Sequence, residues 1–406
     1  MSEDLPPLPR SFRYLVLTRA GEGFGDALAR TIMPILAVSV LGLGTGYVGV
    51  LNSIGLGTFL LLGVPIGMII DRIRGRGTAM TMATSMRCLV LASLLALYLT
   101  QTLSGPVLLL AAGIIGIADV VFTTAETTVI PALVPKKRLK HAYSRLAVTS
   151  QSASAAAAGT GSLALGFLGM PGMITLAVTS YVSSLLSQLG IQAPAQAETM
   201  QIRPKARLRD GFVALWEIPA LRALTTSAAL TNAGVMLGNT ILPVFILSDL
   251  GVAPAIYAAL GVISTIGAII GAGLAPRLSG HYGLRRLRIA CALVAVPAVL
   301  LAVFCQQLPG PELIWLAIQG FSWNLLVSIS AVSGAEVLPK TISQGQLASV
   351  AASQRTITLG IMPISALIGG ALGTVTGSVP MLVVWTGLAG LAALPILAEG
   401  SLEDYR

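Results

Sequence analysis

Charge is scarce in this chain. Only 10% of its 406 residues are Asp, Glu, Lys or Arg, against about 25% in an ordinary soluble domain. A water-facing globular surface is therefore excluded for most of its length. Cysteine is scarcer still: Cys88, Cys291 and Cys305 stand far apart in apolar runs, which excludes a disulfide framework and metal spacing and leaves them as small buried hydrophobes. The two histidines, His141 and His281, lie in loops beside basic clusters and offer no metal site. No phosphate loop ending in Gly-Lys-Ser/Thr occurs, which removes ATP as the energy source. Gly159-Thr160-Gly161-Ser162-Leu163-Ala164 fits a dinucleotide fingerprint by its letters, but it lies inside an apolar helix with no strand before it. The stretch before Tyr14 holds Glu3, Asp4 and several prolines; with no compact apolar region and cleavage site following, no cleaved signal peptide is expected.

What is present is apolar length. The chain is 55% hydrophobic, with mean hydropathy +0.85. Stretches of the roughly 20 residues needed to cross a bilayer recur between short polar breaks. They run 14–41, 46–70, 78–100, 106–134, 142–168, 171–191, 221–249, 254–275, 287–306, 312–337, 346–374 and 379–398. This predicts an all-α membrane protein of twelve transmembrane helices. Forty-four glycines and twenty-two prolines suit such helices, where Gly allows close packing and Pro kinks are tolerated. One long interruption, 192–220, carries Arg203, Lys205, Arg207 and Arg209 and divides the helices six and six.

The loops alternate in charge. Arg72, Arg74 and Arg76; Lys136, Lys137, Arg138 and Lys140; the central linker; and Arg277, Arg285, Arg286 and Arg288 form one set. The opposite set, around 42–45, 101–105, 169–170, 250–253, 307–311 and 375–378, holds no Lys or Arg. The positive-inside rule places the first set and both termini in the cytoplasm. Topology thus accounts for the net charge of +9 without a nucleic-acid partner.

An internal repeat supports two halves. Arg13, Leu15, Thr31-Ile32, Pro34 and Leu41-Gly42 recur at constant offset as Arg222, Leu224, Thr240-Ile241, Pro243 and Leu250-Gly251. Val134-Pro135-Lys136 is echoed by Leu338-Pro339-Lys340, and Ser150-Gln151 by Ser353-Gln354. The expected organisation is a six-helix bundle over 1–191, a cytoplasmic basic linker over 192–220 and a second six-helix bundle over 221–406. Such a repeat implies a pseudo-two-fold axis along the membrane normal with a site between the bundles.

Four ionisable residues interrupt the first span. Arg19, Glu22, Asp26 and Arg30 fall three, four and four residues apart, which puts them on one helix face. Each charge facing lipid at mid-membrane costs about 2.5–3.5 kcal/mol, so the stripe must face protein or water. An intramembrane charge cluster marks a functional site. By rise per residue Asp26 lies about 18 Å from Tyr14, near mid-membrane, and Asp119, thirteen residues after Pro106, lies at similar depth. Two carboxylates at one level suit proton coupling, since each can be neutralised by a proton or a cationic group. Arg30, one turn beyond Asp26, can hold that carboxylate charged, while Arg19 reads as a cytoplasmic-side anchor. Arg87 and Arg355 lie about nine residues inside their spans, as buried partners or as snorkelling side chains. The second half is nearly neutral: Thr231 answers Glu22, Val235 answers Asp26 and Asn239 answers Arg30. Asn232, Asn239, Gln319, Trp323 and Asn324 are its candidate substrate-binding residues, with interhelical hydrogen bonding as the structural alternative. Gly63/Gly67, Gly267/Gly271 and Gly369/Gly373 have the spacing of close helix packing.

Gly67, Asp71-Arg72, Gly75 and Arg76 resemble the loop signature of the major facilitator superfamily, although Arg74 adds a residue before the second glycine. A degenerate copy follows at Gly273-Leu274-Ala275-Pro276-Arg277 with Gly283 and Arg285-Arg286. Phe12-Arg13-Tyr14-Leu15 with Gly25-Asp26, Ile130 through Pro135, and Gly360 through Pro363 to Gly369-Gly370 resemble the macrolide efflux and siderophore exporter branch. Two positions depart from the antiporters of that superfamily. Ala158-Gly159-Thr160-Gly161 stands where a Gly-Pro pair is usual, and helix 4 carries Asp119 and Glu126 in place of a buried arginine.

The resemblance implies two pseudo-symmetric six-helix bundles whose helices 1, 4, 7 and 10 line a central cavity. It also implies a conformational latch of Gly67, Asp71, Arg72 and Arg76, with Glu126 as partner for the loop arginines. The expected function is proton-coupled efflux of an amphipathic small molecule, such as an antibiotic or siderophore, by a monomer in the bacterial inner membrane. Asp26, Asp119, Glu22 and Arg30 would handle protons, with membrane lipid as surroundings and the proton gradient, not a cofactor, as energy source. Because Phe24-Gly25-Asp26 also resembles lysophospholipid transporters, a lipid transporter is the alternative. A membrane enzyme or sensor is remote: no nucleophile–base constellation and no appended domain is found.

Overall fold

The computed structural model describes residues 9–72, 76–134, 139–191, 208–335, 337–342 and 347–404. Among these the chain is helical, with no strand. The first four long helices are α1 (Arg10–Ile35), α2 (Thr45–Arg72), α3 (Arg76–Leu99) and α4 (Gly105–Leu133). A continuous run, Leu139–Gln188, follows. Its apolar portion covers 44 residues, about 66 Å of helix, twice a bilayer core. It therefore crosses twice. The break is Gly169, at φ 68° and ψ −166°, a backbone region open essentially to glycine alone. We number its parts α5 (139–168) and α6 (170–188).

In the second half come α7 (Pro219–Val244), α8 (Pro254–Tyr282), α9 (Leu284–Val303), α10 (Glu312–Ser333), α11 (Leu347–Thr376) and α12 (Ser378–Leu391). The twelve-helix expectation holds. Two boundaries differ from the sequence reading. The eighth span was expected to end at residue 275, before Pro276 and Arg277, yet α8 runs through both to Tyr282 and stops at Gly283, with φ +75°. A proline removes one backbone bond without forcing a membrane helix to end. Within the 192–220 interruption, Leu208–Glu217 forms a short helix that buries Leu215 and leaves Trp216 exposed.

The repeat is visible in backbone geometry. Pro34 in α1 and Pro243 in α7 are each followed by a five-residue π-helical turn, Leu36–Val40 and Phe245–Asp249. Each turn ends in a glycine at φ +65°, Gly42 and Gly251, the left-handed stop that helix ends favour. This explains why Pro34, Leu41-Gly42 and their counterparts recur together.

By packing, the chain forms two units. One comprises residues 1–41 and 57–200, the other 42–56 and 201–406. The first has a core of Phe12 and Leu15 from α1, Met80 and Ala83 from α3, Phe122 and Val129 from α4, and Leu146 from α5. The second centres on Leu237 and Ile241 of α7, Val299 of α9, Leu316 and Trp323 of α10, and Leu382 and Trp385 of α12. The opening turns of α2 belong to this second unit. There Thr45 Oγ1 donates to the Gly370 carbonyl at 3.3 Å and Ser53 Oγ to the Pro363 carbonyl at 2.7 Å, both on α11.

Small-residue packing follows the expected spacing only in part. Gly267 and Gly271 of α8 lie against the α10 backbone at Phe321 and Leu325. Gly369 abuts Leu237 and Gly373 abuts Ile241. Gly63, by contrast, faces open space among the described residues, and Gly67 lies outside the residues whose surroundings are described. A side chain at Gly267 must push α8 off α10, an overpacking change that costs about 1–3 kcal/mol. Gly267→Leu should lower the thermal unfolding midpoint of the purified protein, while Gly261→Leu, directed into open space, should leave it unchanged.

Candidate functional site

The charges of the first unit converge on one guanidinium. Arg87 of α3 is fully buried and is bonded through Nη1 to Glu22 and, at 3.2 Å, to Asp26 Oδ1, while Nη2 reaches Asp119 Oδ1 at 2.8 Å. Three carboxylates from α1 and α4 thus share one cation. Their side-chain exposure is graded: 0% for Glu22, 21% for Asp26 and 52% for Asp119. The guanidinium also lies over the rings of Phe122 and Tyr181, 5.3 and 5.9 Å from their centroids, favourable positions for a cation against an aromatic face.

Helix α6 supplies the neutral partners. The Tyr181 hydroxyl donates to Asp26 Oδ1 at 2.7 Å. Glu22 Oε1 accepts from Ser184 Oγ at 2.8 Å and from Thr84 Oγ1 of α3 at 2.6 Å, and Gln188 Nε2 donates to Thr84 Oγ1 at 2.8 Å. Local sequence makes this approach feasible. Gly21 and Gly25, one turn apart on α1, face Ser180, Tyr181 and Ser184 so closely that a Cβ at either would collide. Glu22 and Asp26 share the i, i+4 spacing of one helix face, and Tyr181, Ser184 and Gln188 share i, i+3 and i+7.

Several expected pairings are corrected. Arg30 is exposed and forms no ion pair among the described residues; Arg87, not Arg30, is the cation beside Asp26. The Asp26 carboxylate is taken instead by Arg87 of α3 and the Tyr181 hydroxyl, which reach it from neighbouring helices. Arg19 reads less as an anchor than as a partner, since its Nη1 lies 3.3 Å from Glu126 Oε2. Glu126 therefore pairs with Arg19 within the bundle, while its expected loop-arginine partners lie outside the described residues. Arg355 is exposed. The side chains of Asp71, Arg72 and Arg76, residue Gly75, the bases at 136–138 and the linker bases at 203–209 lie outside the described residues, as do the surroundings of Gly67. Sequence reasoning passed over Thr84, Tyr181, Ser184 and Gln188; the polar face of α6 was the available signal.

In the second unit the candidate substrate-binding residues are dispersed. Asn232 Nδ2 donates to the Thr358 carbonyl of α11 at 2.8 Å, and Asn324 Nδ2 to the Gly320 carbonyl of its own helix at 2.9 Å. Asn239 is exposed, and its backbone carbonyl accepts from Asn52 Nδ2 at 3.3 Å. Gln319 and Trp323 are buried, and Trp323 stands edge-on to Trp385 with 5.0 Å between ring centroids. Among the described residues no group of three or more His, Cys, Asp or Glu could hold a metal ion.

Twelve apolar helices, a backbone repeat relating two halves and a buried ion cluster at membrane depth define a multi-pass transporter driven by solute or ion gradients. The chain belongs to the Major Facilitator Superfamily, whose family model matches residues 15–340. The fold is similar to that of the nucleoside transporter NupG (TM-score 0.74, 15% identity, 98% of this chain and 100% of that one). It is equally similar to a bacterial homologue of the iron transporter ferroportin in an inward-facing state (TM-score 0.75, 14% identity, covering 97% and 99%). A POT family transporter solved with a thioalcohol-conjugated peptide gives TM-score 0.74 at 13% identity, covering 96% of each chain. Identities this low show the fold alone. Comparison with curated protein sequences gave no match.

Removing one partner from a buried ion cluster costs about 3–5 kcal/mol, because the others are left uncompensated. Arg87→Met should therefore strongly destabilise the protein, and adding Glu22→Gln should restore part of the loss. Thermal unfolding of the single and double variants measures the coupling; additive effects would mean that Arg87 and Glu22 are not energetically linked.

Proposed function

We propose that the protein is a proton-coupled exporter of an amphipathic small molecule, such as an antibiotic or siderophore, working as a monomer in a bacterial plasma membrane. One observation carries the coupling: three carboxylates share a single buried guanidinium, with exposure rising from Glu22 through Asp26 to Asp119. With all three ionised, the cluster has two negative charges in excess, and each can be removed by a proton or by a cationic group of the substrate. Asp119, half exposed, is the group that water and substrate reach first. Asp26 links it to Arg87 and Tyr181, so loss of its charge would loosen the contact among α1, α3 and α6. Glu22 lies deepest, and Arg30, exposed on α1, supplies positive potential nearby. From the second bundle Asn239 is exposed to substrate, while Gln319 and Trp323 are buried and Asn232 and Asn324 are bonded to backbone carbonyls, so these four would meet substrate only after the helices shift. The likeness of Phe12 through Leu15, and of the other motifs quoted above, to efflux proteins supports the export direction.

In vesicles, Asp26→Asn should abolish transport driven by a pH gradient yet retain exchange of substrate across the membrane without a gradient. Asp119→Asn should do the same or shift preference away from cationic compounds, because losing one negative charge weakens attraction in a low-dielectric cavity. Should both single variants and the double variant still pump against a gradient, coupling does not reside in this pair. If collapsing the pH gradient leaves wild-type transport untouched, the antiport mechanism fails.

We further place both termini and the 192–220 linker in the cytoplasm, because every strongly basic loop falls on that side. Single cysteines in the linker should then resist a membrane-impermeant thiol reagent in intact cells. Labelling there, with protection near Ser104, would invert the topology.

A further inference from the structure

The second unit holds a buried cation of its own, Arg288, near the start of α9. It is 7% exposed and has no carboxylate within ion-pair distance among the described residues. Its Nη1 donates to the Ser330 carbonyl at 2.7 Å and its Nη2 to Ser227 Oγ at 3.4 Å. Nε is buried and has no hydrogen-bond partner. The guanidinium borders a cavity of about 20 Å³, whose lining also includes Ser227, Thr231, Cys291, Trp323 and Ser330.

The repeat explains what is missing. Arg288 lies on the third helix of its bundle and faces the first and fourth, as Arg87 does in the other half. At the constant offset of the repeat, Ser227 answers Thr18 and Thr231 answers Glu22. Where Arg87 meets three carboxylates, Arg288 meets one hydroxyl and one carbonyl among the described residues.

A buried guanidinium without a counter-charge costs several kcal/mol, and arginine does not escape by losing its proton. The carbonyl of Ser330, in the last turn of α10, contributes only part of the half charge of a helix end. Water can satisfy Nε but cannot neutralise it. A site needs roughly 10–15 Å³ to admit one water-sized species, so this cavity has room for a small ion.

We propose that Arg288, with the Ser227 hydroxyl, binds a small monovalent anion within the second bundle, in the cavity that Thr231 borders with its own hydroxyl donating to the Ser227 carbonyl at 2.9 Å: a chloride ion or a carboxylate head no larger than formate. The anion lies beside Ser227 of α7 and Ser330 of α10, the two residues to which Arg288 is bonded. It balances Arg288 and ties α7, α9 and α10 together.

The test is thermal unfolding of the purified full chain at constant ionic strength, with sodium chloride or sodium formate replacing sodium gluconate, whose anion is too large for the cavity. The wild type should gain stability with at least one small anion, rising with the logarithm of its concentration above the dissociation constant, as expected of a ligand that binds only the folded state. A logarithmic response to chloride assigns the ion; one to formate alone assigns a carboxylate head. Arg288→Gln should abolish the response, and Arg286→Gln, at an exposed neighbour, should keep it. Because Arg288→Gln could fail to fold, Thr231→Glu provides an independent reading: it supplies the missing carboxylate, so the variant should match the anion-saturated wild type in gluconate and gain nothing from chloride or formate. A wild type indifferent to both small anions overturns the proposal. So does a logarithmic response that persists unchanged in Thr231→Glu or in folded Arg288→Gln.

Discussion

The first unit is organised around the burial of one guanidinium. Arg87 has no exposed side-chain surface, and a charge so placed is tolerable only where opposite charges and hydrogen bonds surround it. Glu22, Asp26 and Asp119 bring the charges, and α6 brings the hydroxyl of Tyr181 beside them. These partners come from α1, α4 and α6, so satisfying Arg87 fixes how three helices lie against α3. The close approach of α6 to α1 depends in turn on Gly21 and Gly25, where a side chain would meet Ser180 and Tyr181. Packing and electrostatics are therefore one constraint in this half, since the glycines allow the distance that the ion cluster requires.

The two halves keep a common backbone plan while their polar chemistry has separated. Pro34 and Pro243, the π turns after them and the left-handed glycines Gly42 and Gly251 match in both position and geometry. Such features are hard to vary, because a proline lacks an N–H and a positive φ excludes most side chains. Side chains facing the bundle interior are freer. Glu22 of one half is answered by Thr231, and Asp26 by Val235. The outcome is one half built around excess negative charge and another around aromatic packing of Trp323 on Trp385, with Arg288 as its isolated cation.

Much of this was readable along the chain. Hydropathy located all twelve spans, because apolar length against bilayer thickness is a property of each segment alone. The stripe through Glu22 and Asp26 was legible because helical periodicity is local, and the depth match of Asp119 followed from rise per residue. The break at Gly169 was visible as a short Gly-Met-Pro-Gly stretch between two apolar runs. The end of α8 was misread because a proline followed by an arginine resembles a terminus, and only neighbouring helices decide whether the chain continues.

The partners were another matter. Composition and periodicity by themselves determined a twelve-helix membrane protein with two related halves, its charged face on α1 and its neutral second half. Tertiary structure alone decided that Asp26 meets Arg87 and not Arg30, that Glu126 meets Arg19, that Tyr181, Ser184 and Gln188 complete the cluster, and that Arg288 has no carboxylate partner among the described residues. The physical reason is geometric. A sequence specifies which residues share a face of one helix, but ion pairs form between faces of different helices. Which faces meet depends on each helix's rotation about its own axis, and that is set by the packing of all its neighbours at once.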